Sequence, residues 1–156
     1  MSGMELPLAV MIAIPEPWAN NKAMSQTKRD FYQYYATMME PWDGPASILF
    51  SDGDIMGAVL DRNGLRPSRY LITDDDTLIL SSEVGVLPVD PTKIKLKERL
   101  RPGKMLLVDT VQGRVIDDEE IKEKYASRQP YGEWLDNNLT ELKSIHIPSQ
   151  RVPEYT

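Results

Sequence analysis

The 156-residue sequence predicts an α+β fold in which antiparallel hairpins are framed by helices. Short apolar runs alternate with turn-forming residues between residues 46 and 116. No long crossover separates these runs, so neighbouring strands are expected to pair antiparallel. Segments with helical spacing or helix-capping residues precede and follow this region. A doubly wound parallel sheet, which needs a helix between successive strands, is therefore not predicted.

Composition limits the class of protein and of partner. The length suits one domain with one core, and the net charge of −6 argues against nucleic acid as a partner. Without cysteine, these residues contain no disulfide, thiolate metal site or cysteine nucleophile. The longest apolar run, Leu6–Ile14, is far shorter than the roughly 20 residues that span a bilayer. We expect no membrane association, no signal peptide and a cytoplasmic location.

The first element is the run Leu6–Ile14, which is apolar at nearly every position. Its periodicity leaves helix and strand equally open, because an element buried on all sides shows no alternation. Pro15 and Pro17 end it, since each proline removes a backbone donor and restricts the residue before it.

The second element is a helix over about Lys28–Met39, with Ser25 or Thr27 as its N-cap. Its apolar face consists of Phe31, Tyr34, Tyr35 and Met38. Such a stripe could stack on bases or on a cofactor. Packing against a sheet is the preferred interpretation, because the chain is negatively charged.

Three hairpins form the centre of the chain. Their strands are predicted at Ala46–Phe50 with Ile55–Leu60, at Arg69–Thr73 with Thr77–Ser81, and at Lys104–Asp109 with Arg114–Ile116. The first turn contains the Asp52-Gly53 pair, which favours a positive φ. Lys93–Arg99 is a mixed stretch that receives no assignment.

Helical and linker segments follow the hairpins. Asp117 and Asp118 are predicted to cap a charged helix that reaches about Ala126, and a short helix is predicted near Trp134–Leu142. The low apolar content of residues 128–156 suggests a linker towards a further domain, or an arm packed over the domain.

The loop Asp61–Pro67 joins the first two hairpins and is the best site candidate. Asn63 and Gly64 could donate to an oxyanion, as in acyl-transfer enzymes. The preferred alternative is a turn in which Gly64 adopts a positive φ and Pro67 stiffens the exit. Arg62 and Arg66 would then either fix this corner or present charge.

Other candidate groups are weak. His146 has no carboxylate at helical spacing. The aspartates at 52, 54 and 74–76 lack the further oxygen ligands of a calcium loop, so solvated turn tips are predicted. No phosphate-binding loop, dinucleotide fingerprint or zinc-protease motif is present. We assign no catalytic residue and no metal ligand to this chain.

Several motifs resemble the glutaminase domain of the glutamate synthase family. The run Met39–Pro88 (MEPWDGPAS…DRNGLRP…SSEVGVLP) is similar over its whole length. Ile14–Trp18 (IPEPW), Arg99–Met105 (RLRPGKM) and Gly113–Asp118 (GRVIDD) resemble family segments before and after it. The resemblance covers about Leu6–Ser127, whereas the shorter D-R-x-G-x-R-P and S-S-E signatures are shared with other class II amidotransferases.

This resemblance implies an N-terminal-nucleophile αββα sandwich that hydrolyses glutamine. In the family, an N-terminal cysteine attacks the glutamine amide, with its own α-amino group as base. The ammonia then passes to a synthase domain carrying FMN and an iron–sulfur cluster, where 2-oxoglutarate becomes glutamate. These cofactors are expected elsewhere in the full-length enzyme, and none is expected in this chain.

The sequence departs from the family at the catalytic motifs. It contains no cysteine, no H-N-G-E segment and no S-D-S-type segment, all of which lie upstream of the matching region in the family. Asn63 and Gly64 therefore do not inherit the oxyanion role. The resemblance implies that Arg62, Asn63, Gly64 and Arg66 support the substrate pocket.

These departures make the chain a predicted fragment without activity of its own. Residues 1–127 are interpreted as the C-terminal portion of a class II amidotransferase domain, which would bind glutamine only when completed. A stand-alone binding or assembly module, or a piece of another class II amidotransferase, remains the alternative. Missing strands would leave edges exposed, so self-association is expected.

Overall fold

The computed structural model describes residues 3–146, and in that range it contains four α-helices and seven β-strands. The helices are α1 (Leu6–Ala13), α2 (Gln26–Ala36), α3 (Asp118–Ala126) and α4 (Tyr131–Asn138). The strands are β1 (Ser47–Ser51), β2 (Ile55–Leu60), β3 (Arg69–Thr73), β4 (Leu78–Ser81), β5 (Ile94–Arg99), β6 (Met105–Asp109) and β7 (Arg114–Ile116). Single 3-10 turns lie at Pro91–Lys93 and Leu142–Ser144.

The strands form two antiparallel sheets. Sheet A has the order β1-β2-β6-β7, and sheet B has the order β4-β3-β5. All strand pairs described in residues 3–146 are antiparallel. The chain leaves sheet A after β2, builds the whole of sheet B, and returns to place β6 beside β2.

Sheet A has two apolar faces because side chains alternate along each strand. On one face lie Val59, Met105 and Leu107; on the other lie Ala58, Leu60 and Leu106. The first face packs with the helices around Phe31, which is fully buried. The second face packs on Tyr70 and Leu80 of sheet B. The layers therefore follow the order helices, sheet A, sheet B, in agreement with the predicted α+β class.

An aromatic cluster joins α2 to α4. The Phe31 ring centroid lies 5.4 Å from that of Tyr131, in an edge-to-face arrangement, and Tyr34 lies 5.3 Å from Trp134. Edge-to-face rings bury large apolar areas and add a favourable quadrupole contact. The aromatic face of α2 is thus a packing face, but its rings meet α4 as well as the predicted sheet.

A buried lysine joins α3 to the segment after α1 and to the turn before β6. The Lys122 side chain is 4% exposed, and its Nζ lies 3.1 Å from Glu16 Oε2 and 3.0 Å from Asp118 Oδ2. The same ammonium donates to the Gly103 carbonyl at 2.6 Å. Asp118 Oδ1 accepts from the Met105 amide at 2.7 Å. Every charge in this network therefore has an opposite charge or a hydrogen-bond partner.

Most predicted elements are confirmed. Leu6–Ala13 is a helix, which resolves the open choice at the first apolar run. Ser25 is the N-cap of α2 and accepts from the Lys28 amide. All three hairpins form, and Gly53 has a φ of 105° as its turn requires.

Two helix boundaries and one unassigned stretch are corrected. α2 ends at Ala36, where the amides of Thr37 and Met38 donate to the carbonyls three residues earlier instead of continuing the α-helical pattern. Met38 is 59% exposed and does not belong to the apolar face. The unassigned stretch Lys93–Arg99 contains β5, which pairs with β3. The last helix runs Tyr131–Asn138, earlier than predicted.

No helix in residues 3–146 is long and apolar enough to cross a membrane. The predicted boundary between residues 127 and 128 stays a prediction. The part of the predicted linker beyond residue 146 lies outside the described residues.

Candidate functional site

The loop between β2 and β3 is held in place by the buried carboxylate of Asp61. Its Oδ1 accepts from the Ala46 amide at 3.0 Å, and its Oδ2 accepts from the Asn63 and Gly64 amides at 3.0 and 3.1 Å. Burial alone would raise the pKa of Asp61, but the surrounding backbone N–H groups, including that of Leu65, together hold its pKa below the ordinary value. Asp61 therefore fixes the corner of the loop as a carboxylate.

Gly64 allows the loop to meet the turn before β6. Its φ is +60°, in the left-handed region that glycine adopts without strain. A Cβ at this position would lie 2.3 Å from Pro102 Cγ. The glycine is needed both for its backbone conformation and for this close contact. The predicted positive φ of Gly64 is confirmed.

Three of the four predicted support residues divide between two cavities. Gly64 and Arg66 line a cavity of about 760 Å³ beside sheet B, which we call the sheet-B cavity. Arg62 lines a separate cavity of about 500 Å³ together with Trp18 and Trp42. Asn63 lines neither of these two cavities. The structure therefore does not bring the four side chains together at one point.

Arg62 and Arg66 are both exposed. The Arg62 guanidinium lies 3.3 Å from Asp43 Oδ1, and both side chains are more than half exposed, so this pair adds little stability. Arg66 is exposed as well. Asp61 fixes the corner of the loop, whereas the charged groups of the two arginines are exposed. Whether the four residues support a substrate pocket stays a prediction.

The sheet-B cavity is lined by residues from three separate stretches of the chain, within 60–71, 79–87 and 97–102. Its floor includes Leu71 of β3 and Ile79 of β4, which are Cα partners and half-buried. The turn between β4 and β5 forms one wall, and the loop around Gly64 forms another. The sequence does not predict this cavity, because its parts come together only in the folded sheet.

The remaining candidates occupy surface turns. Asp52 Oδ1 accepts from the amides of Asp54 and Ile55, and Asp75 accepts from the Thr73 hydroxyl. These aspartates are turn tips, as predicted. His146 is exposed. No group of three or more acidic or histidine side chains within residues 3–146 could hold a metal ion.

The fold and the loop belong to a defined class of enzyme domain. The family of class-II glutamine amidotransferases matches residues 1–134, which is most of the chain. The protein therefore belongs to the class-II glutamine amidotransferase family.

The similar proteins narrow the resemblance to glutamate synthases. The chain is 51% identical over 142 residues to the NADPH glutamate synthase large chain of Bacillus subtilis (strain 168), covering 91% of this chain and 9% of that protein. It is 53% identical over 140 residues to the NADH glutamate synthase of Schizosaccharomyces pombe, covering 90% of this chain and 7% of that protein. The ferredoxin-dependent glutamate synthase 2 of Arabidopsis thaliana is 47% identical over 149 residues, 94% of this chain and 9% of that protein. The predicted resemblance is confirmed, and the chain spans less than a tenth of these relatives' length.

Proposed function

We propose that this chain forms part of the glutaminase domain of a glutamate synthase, in which ammonia released from glutamine is used to make glutamate from 2-oxoglutarate. The observation that carries the proposal is about 50% identity to glutamate synthases across about 90% of the chain. The corner fixed by Asp61 supports it, because the D-R-N-G-L-R-P loop is part of the resemblance. We also propose a cytoplasmic location for the protein.

The proposed role of the chain is structural support for the glutamine pocket. The loop Asp61–Pro67 would position the pocket floor, with Arg62, Asn63, Gly64 and Arg66 as supporting residues. The chemistry would belong to a cysteine that these residues do not contain. An iron–sulfur cluster needs thiolate ligands, and this chain offers none, so the cluster would be held by another domain. FMN is likewise proposed to bind elsewhere in the full-length enzyme.

The first prediction is that the purified 156-residue chain does not hydrolyse glutamine. It lacks the thiol nucleophile that splits acyl transfer into two accessible steps. Glutamate formed from glutamine is measured by coupled assay and should equal the buffer blank. Mixing with a cysteine-containing glutaminase segment of a relative provides the positive control. Glutamate formation that rises with chain concentration and changes in Arg66→Gln would contradict the proposal, since a contaminant would not respond to that substitution.

A second prediction concerns self-association through sheet A. Leu49 of β1 and Met56 of β2 are 62% and 54% exposed, and both lie on the face that sheet B covers only in part. Because β1 is an edge strand, two copies could pair β1 antiparallel and bring these apolar faces together.

Light scattering at increasing concentration should show a dimer or a larger species. Leu49→Lys should shift the chain towards monomer, since it places a charge on the edge. Val84→Lys is the control, because Val84 is 76% exposed but lies in the turn after β4, away from sheet A. A monomer at every concentration, or equal effects of the two substitutions, would refute self-association at this edge.

A further inference from the structure

Five cationic side chains line the sheet-B cavity, and they are Arg66, Arg69, Lys97, Arg99 and Arg101. Within residues 3–146 none of the five lies within 4.0 Å of a carboxylate, whereas Lys28, Lys104 and Arg114 each form an ion pair. The whole chain has a net charge of −6. The overall composition of the chain therefore does not account for five unpaired positive charges at one cavity.

The register of sheet B places two of these cationic residues directly opposite each other. Arg69 of β3 is the Cα partner of Arg99 of β5, so both guanidinium groups start from the same face of sheet B. Lys97 follows on that face as the partner of Leu71. Like charges directly opposite each other on a sheet are destabilising. An anion bound between them would remove this repulsion.

A buried hydroxyl in the same cavity also lacks a partner. Ser68 is 4% exposed and lines the cavity, and its Oγ has no hydrogen-bond partner in the described part of the chain. Buried polar atoms are rarely left unpaired, and a hydroxyl can donate to an oxyanion.

The acidic residues of the cavity do not cancel its charge. Only Glu83 and Glu98 contribute carboxylates. Glu98 already accepts from the Tyr70 hydroxyl at 2.8 Å. The cationic groups outnumber the acidic ones and remain available for a ligand.

We propose that the sheet-B cavity binds a small organic anion that carries a phosphate or carboxylate group. A volume of about 760 Å³ lies within the range of small-molecule sites. Leu71 and Ile79 provide an apolar floor for the body of the ligand, and Arg69 and Arg99 provide forked donors for its oxyanion. This inference does not rest on the proposed glutaminase role, because it requires neither glutamine nor a nucleophile.

Calorimetric titration of the 156-residue chain at low salt tests the proposal, with inorganic phosphate, succinate and the uncharged succinamide as separate probes. We expect saturable binding of phosphate, succinate or both, and none of succinamide. Binding of phosphate alone would assign a phosphate ligand, and binding of succinate alone a dicarboxylate. Arg69→Gln and Arg99→Gln should each weaken binding about tenfold, whereas Lys22→Gln, which removes an exposed lysine outside the cavity, should not.

Melting temperatures show whether a variant that binds weakly is still folded. Without ligand, Arg99→Gln should melt at or above the wild-type temperature, since it removes the repulsion with Arg69. Addition of the bound anion should raise the melting temperature of the wild type more than that of Arg99→Gln. Absence of saturable binding to either anion, or equal binding by wild type and both arginine variants, would overturn the proposal.

Discussion

Replacement of Lys122 by methionine is expected to lower the free energy of unfolding by about 4 kcal/mol. The substitution keeps the length and apolar stem of the side chain but removes the ammonium. Glu16, whose side chain is 13% exposed, then loses its partner at 3.1 Å, and the Gly103 carbonyl loses its donor. Removal of one partner from a buried ion pair leaves an uncompensated charge. Urea denaturation followed by circular dichroism measures the change.

Lys124→Met is the matched control, because it makes the same change two residues later on α3. Lys124 Nζ lies 3.7 Å from Glu5 Oε2, and its side chain is 60% exposed. An exposed pair of this kind contributes about 1 kcal/mol or less. Similar losses in the two variants would show that Lys122 is not the centre of a buried network.

Replacement of Asp61 by alanine is expected to lower the free energy of unfolding by about 3 kcal/mol. The side chain accepts from three backbone amides, and that of Ala46 is buried and would be left without a partner. Chemical denaturation should show this loss together with faster amide exchange at Asn63. Asp61→Asn should fall between wild type and alanine, because its amide keeps one acceptor oxygen.

Asp52→Ala provides the comparison for Asp61. Asp52 also accepts from two backbone amides, but it lies at an exposed hairpin tip where water can replace it. Loss of the Asp52 carboxylate should lower the free energy of unfolding by about 1 kcal/mol or less. A cost at Asp61 no greater than that at Asp52 would refute the role of burial.

The contribution of Asp61 to the free energy of unfolding should also depend on pH. The folded pKa of Asp61 lies below its unfolded value, so its contribution to stability is complete above the unfolded pKa of about 3.8. The contribution is lost as the pH falls through the lower folded pKa. The stability difference between wild type and Asp61→Asn should therefore narrow in acid.

The sequence predicted the local elements well. Each hairpin was identified because its turn and both strands are adjacent in the chain, as with Asp52 and Gly53. The failure at β5 has the opposite cause. Its partner is β3, with β4 and a long turn between them, and the pairing cannot be inferred from neighbouring residues. The alternation of Lys95, Lys97 and Arg99 was the available signal, since it is typical of a strand with one cationic face.

The candidate site was predicted only in part. The loop Asp61–Pro67 was identified from its own residues, including the positive φ of Gly64. The close approach of Gly64 to Pro102 was not predicted, because the two residues are distant in the sequence and meet only in the folded structure. The same limit applies to the sheet-B cavity, whose walls come from distant parts of the chain.

The connection from β2 to β6 separates the two sheets along the chain. Sheet B is built entirely from residues 61–104, an excursion that leaves from β2 and returns to its immediate neighbour β6. Topologically, β2 and β6 are the arms of one hairpin with a very long loop, and the entropy of closing such a loop grows only logarithmically with its length. A short turn in place of the excursion would keep every strand pairing of sheet A. It would also remove the cavity and uncover Ala58, Leu60 and Leu106.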